Sequence, residues 1–123
     1  MKLLHNYVSL GSVALIAEAA ACAQRAGVPG DVFVDVLAKG GGGGVALERL
    51  RPFITQQDPN SLRFAMSNAQ KDLAYYTEMA DGMQAAQAIA DAVLATYARA
   101  VEQGGAQRYV PELVGLLAEG GKA

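Results

Sequence analysis

One cysteine, one histidine, no tryptophan and few charges limit the chemistry this chain can host. The lone Cys22 excludes an internal disulfide and a cysteine-rich zinc site. It sits in an alanine-rich run, which makes it a small core residue by expectation. His5 has no acidic residue at a readable spacing, so neither a metal site nor a serine–histidine–acid triad is expected. Charged residues make up 18% of the chain and the net charge is −2, with the basic residues scattered rather than striped. Nothing in that balance draws nucleic acid or an anionic membrane. No secretory signal is evident. The apolar stretch from Leu3 to Ala23 is interrupted by His5, Asn6, Ser9, Ser12 and Glu18, too often for a membrane span. A cytoplasmic protein is the expectation.

What is present is apolar and helical. The 123 residues suit one domain and one core. The pattern predicts a first helix from about Lys2 to Ala26, apolar on all sides and so a central helix, stopped by Gly27 and Pro29. A short helix follows, from Pro29-Gly30-Asp31 to about Ala38, and then a five-glycine run from Gly40 to Gly44. That run is read as a flexible loop. A phosphate loop needs Lys-Ser/Thr after its glycines and a strand before them, and Val45-Ala46 follows instead. Further helices are predicted at about Ala46–Phe53, ended by Pro52; Leu62–Ala80, after the Asp58-Pro59-Asn60-Ser61 turn cluster; Gln84–Gln103; and Pro111–Ala118. The tail from Glu119 to Ala123 is expected to fray. Val32 to Val36 is the best strand candidate, but Asp31 and Asp35 fit a helix better, so the fold class is all-α, one helical domain over 1–123.

Three groups of residues carry possible chemistry. Lys2, His5 and Asn6 head the first helix, with Lys2 and Asn6 four apart on one face. A lysine opposes the helix dipole in a first turn. The residue there is either a solvated helix start or a proton carrier, with Asn6 orienting a substrate hydroxyl. Burial, the dipole or a neighbouring cation would each push a lysine toward a base's range. Lys71-Asp72 lies seven residues after Phe64, two turns and hence one face if both are helical. It is either a solvated patch, or Lys71 reaches a ligand or cofactor while Asp72 fixes a neighbouring helix. Tyr75, Tyr76 and Tyr97 read as core or interface packing.

Taken together, Lys2-Leu3-Leu4-His5-Asn6 resembles the K-x-x-[HN]-N segment of the β-hydroxyacid dehydrogenases. Glu18-Ala19-Ala20 with Ala26-Gly27-Val28 resembles that family's E-A…G-[VLI] stretch, and Phe64 with Lys71-Asp72-Leu73 its F-x6-K-D-L segment. The order and spacing run through essentially the whole chain. The family's serine near the second glycine loop, its proline before the fourth long helix and its C-terminal aspartate-x-serine are not evident here. The resemblance implies the C-terminal helical half of a two-domain, NAD- or NADP-dependent 3-hydroxyacid dehydrogenase, without the Rossmann half and its glycine fingerprint. It implies Lys2 as general acid/base, Asn6 and His5 at the substrate, Lys71 near substrate and nicotinamide, a small 3-hydroxy acid as substrate, and a homodimer. A chain of this kind is expected not to turn over alone. The alternative is a non-catalytic helical dimerisation module.

Overall fold

A computed structural model describes residues 1–120. It is an all-helical bundle: α1 (Lys2–Arg25), α2 (Gly30–Ala38), α3 (Val45–Gln56), α4 (Met66–Gly82), α5 (Ala88–Ala100) and α6 (Leu113–Gly120). Short 3₁₀ turns at Pro59–Ser61 and Val110–Glu112 precede α4 and α6, and a π-turn at Val101–Gly105 extends α5. Helix α1 is the hub and packs against each of the other five. Its inner face, including Leu10, Val13 and Ala17, is buried with Leu47, Leu50, Leu73, Tyr97 and Leu113. The helix is long and apolar enough to cross a membrane, yet here that apolarity makes the centre of the core. Tyr97 anchors α5 to it: its hydroxyl donates to the Leu10 carbonyl at 2.7 Å.

The ends of α1 and α4 show how tertiary closure sets boundaries. Gly27, at φ +80°, closes α1 with bonds from its own N–H to Gln24 O and from Val28 N–H to Ala23 O. That is the paired closure in which the residue after the cap turns left-handed. The same closure ends α4, with Gln84 N–H on Asp81 O and Ala85 N–H on Ala80 O. The left-handed residue there is Gln84, φ +55°, not Gly82. This is why α5 starts at Ala88 rather than at Gln84. α3 runs on past Pro52 to Gln56. Proline removes one N–H, and the Glu48 side left without that bond is exposed, so the cost is small there.

α4 starts four residues later than the pattern suggested. Phe64 O accepts from Val110 N–H, and the N–H groups of Met66 and Ser67 donate to the carbonyls of Arg108 and Ala106. The strand-like pairing consumes 64–66, so the helix cannot start at Leu62. Phe64 therefore precedes α4 and does not share a helical face with Lys71. Glu119 and Gly120 close α6 rather than fraying; residues 121–123 of the expected tail lie outside the described residues. Cys22 is exposed, not in the core, because it falls on the outer ridge of α1 seven residues after the exposed Leu15. Tyr75 is likewise 52% exposed, whereas Tyr97 is fully buried.

Candidate functional site

The first turn of α1 and the second turn of α4 meet. The amide Nδ2 of Asn6 donates to Asp72 Oδ2 at 3.2 Å across 66 residues of sequence. A carboxylate accepts only, so this bond sets which way the amide faces. Asn6 Oδ1 is left toward His5, whose Nδ1 lies 3.3 Å away. One turn along α4, Tyr76 stacks on Tyr7 of α1 with ring centroids 4.1 Å apart and planes 25° from parallel. Burial and the neighbouring Tyr76 hydroxyl both hold the Tyr7 phenol above its ordinary range. The stack and the Asn6–Asp72 bond clamp the two helices side by side.

Lys2 is the first helical residue of α1 and Lys71 directly precedes Asp72 in α4. Both ammonium groups are exposed, and among the described residues neither makes an ion pair. The structure thus joins His5, Asn6 and Asp72 directly, and sets Lys2 and Lys71 on the two helices that the clamp holds. Sequence reasoning missed the Tyr7–Tyr76 stack. Its only sequence signal is adjacency: Tyr7 follows Asn6, and Tyr76 lies one helical turn after Asp72.

Two glycines of the run pack on the end of α2: a Cβ on Gly42 would meet the Leu37 side chain at 2.8 Å, and one on Gly43 the Ala38 carbonyl at 3.0 Å. Gly41 to Gly44 also line a small cavity of about 280 Å³ against Ser12, Leu15 and Ile16 of α1. The donor set at the α1–α4 end is an ammonium on each helix, a carboxamide and an imidazole. These are polar side chains that can donate to or accept from a small polar ligand.

In comparison with solved structures, the chain resembles 3-hydroxyisobutyrate dehydrogenase from Salmonella typhimurium, with a TM-score of 0.85 and 24% identity over 94% of this chain. It spans 40% of the length of that protein. At that identity the likeness shows the fold. No curated protein matches the chain by sequence. The model of one protein family, described as NAD-binding of NADP-dependent 3-hydroxyisobutyrate dehydrogenase, matches residues 1–117. With nearly its whole length matched, and the residues of the Lys2-to-Asn6 and Lys71-Asp72 segments held together by α1 and α4, the chain belongs to this 3-hydroxyisobutyrate dehydrogenase family.

Proposed function

We propose that the chain is the substrate-binding, catalytic and dimerisation domain of an NAD(P)-dependent 3-hydroxyacid dehydrogenase, working in the cytoplasm beside a Rossmann half that carries the main nucleotide site. The observation that carries this reading is the Asn6–Asp72 hydrogen bond, which draws two separate family-like segments into one site. The exposed apolar ridge of α1 supports the homodimer.

A bound NAD(P), held mainly by the Rossmann half with Lys71 beside its nicotinamide, would supply the acceptor for the hydride of the carbinol carbon. The chain's own residues handle the proton and the orientation. Lys2 takes the hydroxyl proton as the C–O bond becomes a carbonyl, and returns it in the reverse reduction. Asn6, its amide turned by Asp72, donates its second Nδ2 hydrogen to the substrate hydroxyl oxygen and leaves the hydroxyl proton to Lys2. His5 flanks Asn6 Oδ1. Lys71 offers its ammonium to the substrate carboxylate beside the nicotinamide. A positioned acid/base of this kind is worth roughly 10²–10⁴ in rate.

The test compares the chain alone with the complete two-domain enzyme, following NAD(P)H absorbance with a panel of 3-hydroxy acids. The chain alone should show no turnover. In the complete enzyme, Lys2→Ala should lower kcat by roughly 10²–10⁴, and Lys2→Arg nearly as much, because arginine does not release a proton near neutral pH. Asn6→Ala should change kcat and KM together. Near-normal turnover of Lys2→Arg would show that only positive charge is needed and would overturn the proton-carrier role.

A further inference from the structure

At the end of α1 away from Lys2, roughly 34 Å along the helix axis, a cleft opens between α1, α2, α3 and α6. It encloses about 460 Å³, a volume in the range of small-molecule sites. It shares no residue with the Asn6–Asp72 site. Its floor is apolar. Phe33, Phe53 and Ile54 each pack one side against the core and line the cleft with the other. Two glycines shape it. Gly30 brings the start of α2 onto α3, where a Cβ would meet the Ile54 carbonyl at 2.5 Å. Gly115 of α6 leaves an edge of the Phe53 ring bare, since a Cβ there would sit in ordinary contact with the ring at 3.6 Å.

Both signs of charge stand at the rim. Arg25 Nη1 donates to the Ala118 carbonyl at 2.8 Å, which anchors the guanidinium at the cleft and leaves its other N–H donors for a ligand. Arg108 lines the same cleft, and neither arginine makes an ion pair among the described residues. Glu112 Oε2 accepts from the Tyr109 N–H at 2.9 Å. That bond pins the carboxylate and leaves its second oxygen available. Glu119 lines the cleft as well. The two arginines and the two glutamates sum to zero, so a bare anion meets as much repulsion as attraction, and so does a bare cation. A ligand that carries both charges on an apolar body satisfies each group in turn.

We propose that this cleft binds a free α-amino acid with a large apolar side chain. The carboxylate takes the planar fork of Arg108. The ammonium donates to Glu112 and Glu119, and the side chain lies on Phe33 and Phe53. The site is independent of the dehydrogenase reading, because no residue of the α1–α4 end takes part.

L-phenylalanine is the probe, titrated into the isotope-labelled chain and followed by NMR at the backbone amides of Gly30, Arg108 and Gly115. These should shift saturably with a Kd of about 1 mM or tighter, the affinity expected of a ligand of about a dozen heavy atoms. Phenylpropionate, which lacks the ammonium, and phenethylamine, which lacks the carboxylate, should each bind at least about tenfold more weakly, the worth of one charge-assisted bond. Arg108→Gln should weaken phenylalanine binding by about the same factor. Gly115→Leu should fill the cleft and abolish the shifts with unchanged helical circular dichroism. Arg63→Gln, exposed and outside the cleft, should leave the Kd as it is. No saturable shift at about 10 mM phenylalanine would overturn the site. Equal binding of phenylpropionate or of phenethylamine would overturn the amino-acid assignment. Undiminished binding to Arg108→Gln would overturn the location. That variant carries the test even where Gly115→Leu does not fold, because among the described residues Arg108 bonds the rest of the chain through its backbone alone.

Discussion

Replacing Tyr97 with phenylalanine should destabilise the chain at neutral pH and stabilise it at strongly alkaline pH. Tyr97 is fully buried, and its hydroxyl donates to Leu10 O at 2.7 Å. Tyr97→Phe removes that bond and little else. The Leu10 carbonyl keeps its helical acceptor role within α1, so no polar group is orphaned. The cost at pH 8 should be about 1 kcal/mol, the net worth of a neutral hydrogen bond, or about 4 °C in Tm for a domain of this size. Burial also pushes the folded phenol far above its ordinary value of 10.0. A group whose folded pKa is raised contributes stability that is complete below the unfolded value and drains away as pH rises past it. Unfolded Tyr97 ionises while folded Tyr97 does not, so the wild type loses about 0.4 kcal/mol by pH 10 and about 1.4 by pH 11. Phenylalanine loses nothing by this route. The remaining tyrosines and the lysines titrate alike in both proteins and cancel. The two stabilities should therefore cross near pH 10.7, with the variant the more stable at pH 11. Urea denaturation at pH 8, 10 and 11, followed by circular dichroism, measures the difference. A difference that stays constant across that range would refute a buried, protonated Tyr97 joining α5 to α1.

Gly30→Ala should destabilise by about 1–3 kcal/mol, because its Cβ would meet the Ile54 carbonyl at 2.5 Å; Gly82→Ala, with nothing within 4 Å, should instead gain about 0.5–1 kcal/mol, and thermal melts of the pair check both signs. Gln84→Gly should raise stability by up to about 1 kcal/mol, since Gln84 holds φ +55° at the α4 closure; an unchanged urea midpoint would count against strain there. Asp72→Ala should release the Asn6 amide, read as lost protection of the Asn6 side-chain NH₂ from solvent exchange by NMR, while Asp81→Ala, exposed at the far end of α4, should leave that signal unchanged.

The sequence by itself determined the helical class and the central place of α1, and it marked the two segments whose Asn6 and Asp72 the fold brings together. Those features are written in local terms: apolar density over two dozen residues, glycine and proline stops, and lysines and an asparagine at helical spacing. The Gly27 closure of α1 shows this, because a left-handed cap is a property of one residue and its neighbours. What the sequence did not show depends on partners far along the chain. The start of α4 moved from Leu62 to Met66 because Phe64 and Met66 bond to the segment before α6, some forty residues away. Cys22 went to the surface because an alanine-rich helix has no single apolar face to read, and only the packing of α2 through α6 decides which side stays open. The pairing of Asn6 with Asp72 and of Tyr7 with Tyr76 likewise required α1 and α4 to lie side by side. Side-chain pairing within one helix follows from its 3.6-residue period. Pairing between helices follows from how a core fills space, and that was decided only by the tertiary structure.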